Sequence, residues 1–540
     1  MSKPGKHTKK HQGGKQGAVG PAGRTGGEGR HAAGAGSAMA AGSHERWVLE
    51  AMLTTYSPLH VGNGESRRVA PPDQSGEADC GEVALVVTDA DGRSYLPGST
   101  IKGAVRDLLE RRGCPDDVLA ALLGSRSQEG DGGSGGVVEF WDARISRTLP
   151  TEQHHVVSWN FERQTGIAAS VVIDRATNTA AQGLLRQCEY VPAGVGFRYI
   201  ITGEQCSDEA IAWLVEALRH IRLGAGQDNG WGRMWLEEAS LGIKTVQPAQ
   251  VEAGKMWWEC LQDVSSERKS AMLRSPGKSP AGNWLDMTMC LAFEGFLLIK
   301  DALPSRTGQP DHQQMRNPDG SFQLPPRSLR GPLRAQAERI VRTLGGRACR
   351  PEKAPCPAVK NIEDQPKLCP VCRVFGAGGW ASVLAFDEIC LSGVEKPREF
   401  VAIDRFTGGV SGSKKFNSAP LWQPKAEVRL RLDLDRLEFW GLGLLALVFR
   451  DLAEGDIRFG MAKRLGFGAC DASITACTLH GDGWRGKVAE FQLVGEDGRQ
   501  WQEDNWHKLV NAAVITLQEF VQQHPETQRL ETMQATEAQS

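Results

Sequence analysis

Apolar and polar residues alternate over residues 47–55, which reads as a strand with one buried face. A β-rich run at 83–87 follows, then a turn at Asp91-Gly92. Pro97-Gly98-Ser99 opens a helix reaching about Arg112, with Ser99 or Thr100 placed to cap its free amides. Residues 125–136 are a Gly/Ser loop, 171–203 read as strands and turns, and 210–222 as an amphipathic helix closed by Gly224. The plan returns from about Thr288, with a longer first helix (328–344) and a Leu-rich second helix (440–453). One more helix is expected over 506–523, before a polar end.

The return extends to the letters. Tyr95 to Arg106 read Y-L-P-G-S-T-I-K-G-A-V-R, and Leu324 to Arg334 read L-P-P-R-S-L-R-G-P-L-R. Aligned on Pro97 and Pro325, they share a hydroxyl (Thr100, Ser328), a base (Lys102, Arg330), a glycine (Gly103, Gly331) and an arginine (Arg106, Arg334). Ile173-Asp174-Arg175-Ala176-Thr177 returns as Ile403-Asp404-Arg405-Phe406-Thr407. Gly224, Gly226 and Gly230-Trp231-Gly232-Arg233 return as Gly460 and Arg464-Leu465-Gly466-Phe467-Gly468, and Phe140-Trp141-Asp142 faintly as Ala385-Phe386-Asp387. Ordered echoes indicate a tandem duplication. Strand, helix, strands, helix, strand in each unit is the ferredoxin-like (RRM-like) order, an α+β fold.

The expected divisions are a basic tail (1–47), a first unit (48–240), a connector (241–287), a second unit (288–479) with a Cys-rich insertion (345–375), and a C-terminal extension (480–540). Residues 1–47 carry eight Lys/Arg against two Asp/Glu among many Gly, Ala and His, too little apolar surface to order themselves. That tail is either simply solvated or brushes a phosphate backbone. No apolar run reaches 18 residues, so no membrane span is expected. Thirteen cysteines without an export signal point to a reducing cytoplasm. The net charge of −2 leaves nucleic-acid binding to a local groove.

The helix-start phrase, the I-D-R-x-T segment and the late glycine loop together resemble the RAMP superfamily, and best the backbone subunits of type III CRISPR effector complexes, here as a fused pair. The resemblance implies a subunit that binds guide RNA, pairs it with target RNA beside other effector subunits, and serves antiviral defence. It places RNA at Ser99, Thr100, Lys102, Arg106, Ser328, Arg330 and Arg334, at the glycine-loop residues Gly230, Gly232, Arg233, Arg464, Gly466 and Gly468, and at Arg175 and Arg405 of two protruding hairpins, the thumbs. Physical chemistry is compatible, since a helix N-terminus with bases nearby suits an anion and glycines admit close backbone approach. The plainer alternatives are ion-pair roles for Arg106 and Arg334 and local salt bridges at the two Asp–Arg pairs. Lys414 and Lys415 add basic character to the second hairpin.

Catalysis in the family uses an aspartate in the loop before the helix start, usually with a divalent cation such as Mg²⁺ or Mn²⁺. Asp311 is the candidate in the second unit, and Asp319 at a D-G turn is structural. Asp79 is favoured over Asp73 and Glu82 in the first. Without a catalytic acid the same chain is a non-catalytic scaffold. A guide-processing endonuclease would want a general-base histidine, for which His154 and His155 are available, and His60 reads as a satisfied loop residue. Cys349, Cys356, Cys369 and Cys372, spaced C-x6-C-x12-C-x2-C, suit a closed structural Zn²⁺ site.

Overall fold

Along the opening strand, Arg46–Thr55, residues alternate in burial end to end, with Trp47, Leu49, Ala51 and Leu53 inward. Side chains on a strand point to alternate faces, so this pattern commits one face to a core. The computed structural model describes residues 45–69, 81–125, 134–156, 158–177, 179–276, 283–301, 310–387, 389–480 and 503–525. All of these lie in one unit spanning Gly42–Ser540.

The opening strand pairs antiparallel with Gly196–Glu204 on one side, and with Gly242–Val246 and Met234–Leu236 on the other. Gly196–Glu204 then pairs with Val138–Phe140 and Ala143–Arg147. Counted in chain order, the core strands therefore lie fourth, first, third, second. Helices α1 (Gly98–Arg111), α2 (Asp116–Leu123) and α3 (Asp208–His220) pack into the same core. Ile101, Val105 and Leu109, one turn apart on α1, are fully buried. Each such side chain contributes about 1.5–3 kcal/mol by leaving water.

Helix α4 (Ser266–Leu273) and the strands Gly242–Val246 and Gln262–Asp263 fall in the segment read as a connector, and all three pack onto the first unit. Arg268 of α4 bridges Glu45 at 2.7 Å and Asp208 at 2.8 Å.

The second unit repeats the arrangement. Trp284–Phe293 shows the same alternation and lies between Leu421–Asp433 and Cys470–His480. Leu421–Asp433 pairs outward with Leu384–Phe386 and Cys390–Glu395. Its helices are α5 (Pro326–Thr343), α6 (Pro370–Phe375) and α7 (Phe439–Ala453). A last helix, α8 (Glu503–Gln522), lies on α7, with the rings of Trp440 and Phe520 stacked at 4.2 Å.

Each unit also carries a hairpin. The first, Gly166–Ile173 with Ala180–Tyr190, adjoins a small sheet made with Gly62–Val69 and Gly81–Val86. The second is Arg398–Ile403 with Val410–Ser418. The strand Gly62–Val69 is not foreseen from the sequence. Its polar sequence has no alternation of its own, and pairing with neighbouring strands holds it extended. Helices α2 and α6 were likewise not foreseen, being too short to show a helical period. No helix among the described residues is long and apolar enough to cross a membrane.

Candidate nucleic-acid interface and metal centre

The helix starts are built differently from expectation. Pro97 takes the cap position of α1, and the Gly98 amide donates to Asp142 Oδ1 at 2.8 Å. Exposed Ser99 and half-buried Thr100 lie inside the first turn and cap nothing. In α5 Pro325 is the cap and Pro326 the first helical residue, so the helix starts two residues before Ser328. A proline there lacks the amide that would need a cap.

Arg106 donates to the carbonyls of Leu123 and Gly124, both at 2.8 Å. Arg334 donates to Gly376 O at 3.0 Å, approaches Cys372 Sγ at 3.1 Å, and pairs with Glu338 at 3.2 Å. Gly124 and Gly376 end α2 and α6 respectively, so the two arginines make the same clamp in both units. The geometry is that of the ion-pair and packing reading of these residues. Arg330 is buried as well: it pairs with Asp228 and donates to Asp228 O at 2.8 Å and Leu384 O at 2.6 Å, pinning one unit to the other. Lys102, its counterpart, is half-buried and makes no hydrogen bond or ion pair among the described residues.

At the hairpin tips neither aspartate pairs with its neighbouring arginine. Asp174 accepts the amides of Ala176 and Thr177, and Asp404 those of Phe406 and Thr407. These amides, Thr177 and Thr407 foremost, hold both carboxyls below the usual range. Arg175 crosses to the second unit and meets the fully buried Glu338 at 3.0 Å. Arg405 is exposed, and beside it Phe406 is 99% exposed. Lys415 pairs with Glu399 at 2.9 Å, and the Lys414 side chain lies outside the described residues.

The glycine loops approach protein rather than open space. A Cβ on Gly232 would sit 2.0 Å from Leu223 O, and one on Gly468 would sit 1.8 Å from Phe459 O. These two glycines fold each loop on itself. Arg233 pairs with Asp387 at 3.2 Å across the units, and exposed Arg464 donates to Thr177 O at 2.9 Å.

Asp311 is exposed at the root of the second hairpin. Its Oδ2 accepts the Asn417 amide at 2.9 Å, while its own amide donates to Asn417 Oδ1 at 2.7 Å. The carboxylate is thus tied to a strand of the hairpin and exposed to solvent. His312 beside it is held below the ordinary imidazole range by burial and then by Lys300. Asp79, Asp73, Gly308 and Gln309 lie outside the described residues, as does the basic tail before residue 45. His60 Nδ1 is satisfied by Glu189 O at 2.6 Å, and His154 is exposed beside Glu152.

Sequence reasoning missed a cleft between the units. His155, Tyr190, Trp231, Lys300, Arg316 and Arg327 line it. Tyr190 and Trp231 have ring centroids 5.6 Å apart. Arg327, in the first turn of α5, makes no hydrogen bond or ion pair among the described residues. The segment after Asp311 runs into the cleft through Met315, Arg316 and Asn317. The misses share a cause: the cleft exists only where residues far apart in sequence meet.

The Sγ atoms of Cys349, Cys356, Cys369 and Cys372 lie within 4.8 Å of one another, a group able to hold a metal ion. Sulfurs at about 2.3 Å from a tetrahedral centre require this closeness. Hydrogen bonds among the sulfurs, led by Cys356 on Cys349 and by Cys349 on Cys369, hold those two thiols down at about 7. The same bonds push Cys372 up. The acidic group Asp451, Glu454 and Asp456 is largely exposed, and Asp451 already accepts from Gln336 and Arg450.

The sequence pattern of the RAMP superfamily matches residues 52–235 and 266–471. The first matched region lies within the first unit and the second runs from α4 into the second unit, and the chain belongs to the RAMP superfamily as a two-repeat member. That makes it an RNA-binding, CRISPR-associated component of a type III-like complex, working with RNA and other subunits. No curated protein matched it.

Proposed function

We propose that this chain is a fused pair of ferredoxin-like backbone domains that holds guide RNA in a type III effector and cuts the paired target RNA at Asp311, in antiviral defence. The strand order fourth, first, third, second in both units, with helices packed into each core, supports the ferredoxin-like reading. The observation that carries cleavage is Asp311: an exposed carboxylate, fixed by Asn417 to the base of a protruding hairpin, beside a cleft bearing Lys300 and Arg327. Arg327 at the start of α5 suits a phosphate, and Trp231 suits a stacked base. A carboxylate held at that point can orient or deprotonate a ribose 2′-hydroxyl.

A divalent cation held at Asp311 would stabilise charge on the phosphate. The four cysteines would hold Zn²⁺ as a structural ion, leaving no position open for chemistry.

The test is target-RNA cleavage by the guide-loaded complex, native against Asp311→Asn. Loss of a mapped cut with target still bound supports the reading. An unchanged cut pattern would return the chain to a scaffold role.

A further inference from the structure

Helix α8 lies beyond both regions that match the superfamily, and it touches the cysteine insertion as well as the second unit. Leu509, Ala513, Leu517 and Val521, spaced by four, are fully buried, so α8 commits one stripe to the protein. That stripe lies on α7 at backbone distance: a Cβ built on Gly443 of α7 would collide with Ala513 O. Glycine weakens a helix interior, and what it admits here is the backbone of α8. Gly443 meets Ala513 and Trp440 stacks on Phe520, so the two helices run antiparallel and the end of α8 passes the start of α7.

The end of α8 reaches the insertion on both flanks of the four cysteines. Just before Cys349, Arg347 N donates to His524 O at 3.1 Å and Gly346 pairs with Pro525 in an isolated bridge. A Cβ on Gly346 would sit 2.5 Å from Val521 Cγ1, so chain and helix are in close contact there. Next to Cys372, Arg373 lies over the Phe520 ring at 5.3 Å and meets Glu438 at 3.5 Å. The His524 ring stacks on the same Phe520 at 4.3 Å. The first unit offers a contrast. Its second helix, α3, is covered by the eight-residue α4, and it carries no cysteine cluster among the described residues.

Resting on the zinc reading of the four cysteines, we infer that α8 is the latch of the metal centre: docking of α8 on α7 and binding of Zn²⁺ are coupled, each strengthening the other. The ion binds only the arrangement that brings all four sulfurs together. Docked α8 holds Arg347 and Arg373, one on each flank of that arrangement. Part of the ordering that the ion would otherwise impose is therefore already made. By linkage, the bound ion favours the docked helix to the same extent.

Gly443→Ala tests the coupling at a distance from the cysteines. The added methyl suits α7, since alanine favours a helix, and it wedges α8 away at Ala513. Phe520→Ala removes the ring under Arg373, and Ile515→Ala, on the exposed side of α8, is the control. Competition between the full chain and a chromogenic chelator should give apparent zinc dissociation constants at least tenfold higher for Gly443→Ala and Phe520→Ala than for native protein. Ile515→Ala should match native protein. In native protein, removing zinc should raise hydrogen exchange in α8, and adding it back should lower it. Far-ultraviolet circular dichroism confirms that each variant is folded, and the exchange measurement needs no variant. Native zinc affinity in folded Gly443→Ala and Phe520→Ala would overturn the latch, and so would exchange in α8 that ignores the ion. Native protein that holds no zinc would overturn the metal site and the latch together, whereas zinc held beside an indifferent α8 overturns the latch alone.

Discussion

Arg175 at the tip of the first hairpin lies 3.0 Å from the carboxylate of Glu338, which is fully buried in α5 of the other unit. Arg334 shares that carboxylate at 3.2 Å, with Arg342 at 3.9 Å. One acid therefore balances three cations and joins the hairpin to the cysteine cluster through Arg334. Removing it leaves those cations without their acid. We expect Glu338→Ala to cost about 3–5 kcal/mol in urea unfolding, because breaking a buried pair leaves uncompensated charge. Arg175→Ala should cost much less, since Glu338 keeps Arg334. Equal losses in the two variants would show that Glu338 does not act as a hub.

The cysteine cluster gives a second expectation. Structural zinc contributes roughly 10–16 kcal/mol of local folding energy in small sites. Elemental analysis should find one zinc per chain at the four cysteines. Chelation should raise hydrogen exchange over residues 345–375 and, through Arg334 and Glu338, at the first hairpin tip. Exchange confined to the insertion would refute the link to the hairpin. Metal-free protein with unchanged exchange would refute the site.

Much of this architecture was legible in the sequence. The alternation at Arg46–Thr55 and Trp284–Phe293 marks both central strands, because a sheet with one buried face must repeat every second residue. The Arg175 and Arg405 segments, read as hairpin tips, do stand at tips. What the letters hide is where side chains go. Arg106 and Arg334 look like bases for an anion until α2 and α6 are placed, since their partners are carbonyls on helices of eight and six residues. Asp142 caps α1 from 44 positions away. One signal was available and passed over: Glu110 and Glu338 stand four residues after Arg106 and Arg334, a helical ion-pair spacing.

Acid stability should respond to Arg268. Its hydrogen bond holds the Glu45 carboxyl below the usual range. A depressed folded value means stability is present above the unfolded value and is lost as pH falls through the folded one. Arg268→Ala should therefore lower the melting temperature at pH 7 and matter progressively less as Glu45 protonates in acid. A deficit that stays constant down to pH 2 would assign Arg268 to packing alone.

The last expectation separates binding cations from structural ones. If Arg327 meets a guide phosphate in the inter-unit cleft, Arg327→Ala should weaken guide binding similarly for all sequences. The slope of log affinity against log salt should also become shallower by about 0.7, the value for one phosphate on a single strand. Arg106→Ala should behave differently, because its guanidinium is committed to Leu123 O and Gly124 O. It should lower the melting temperature and leave the salt slope of the folded protein unchanged. Trp231→Ala should lose affinity at constant slope, since stacking on a base releases no counterion. Equal slopes for native protein and Arg327→Ala would remove the cleft from the guide path and point to the exposed hairpin faces.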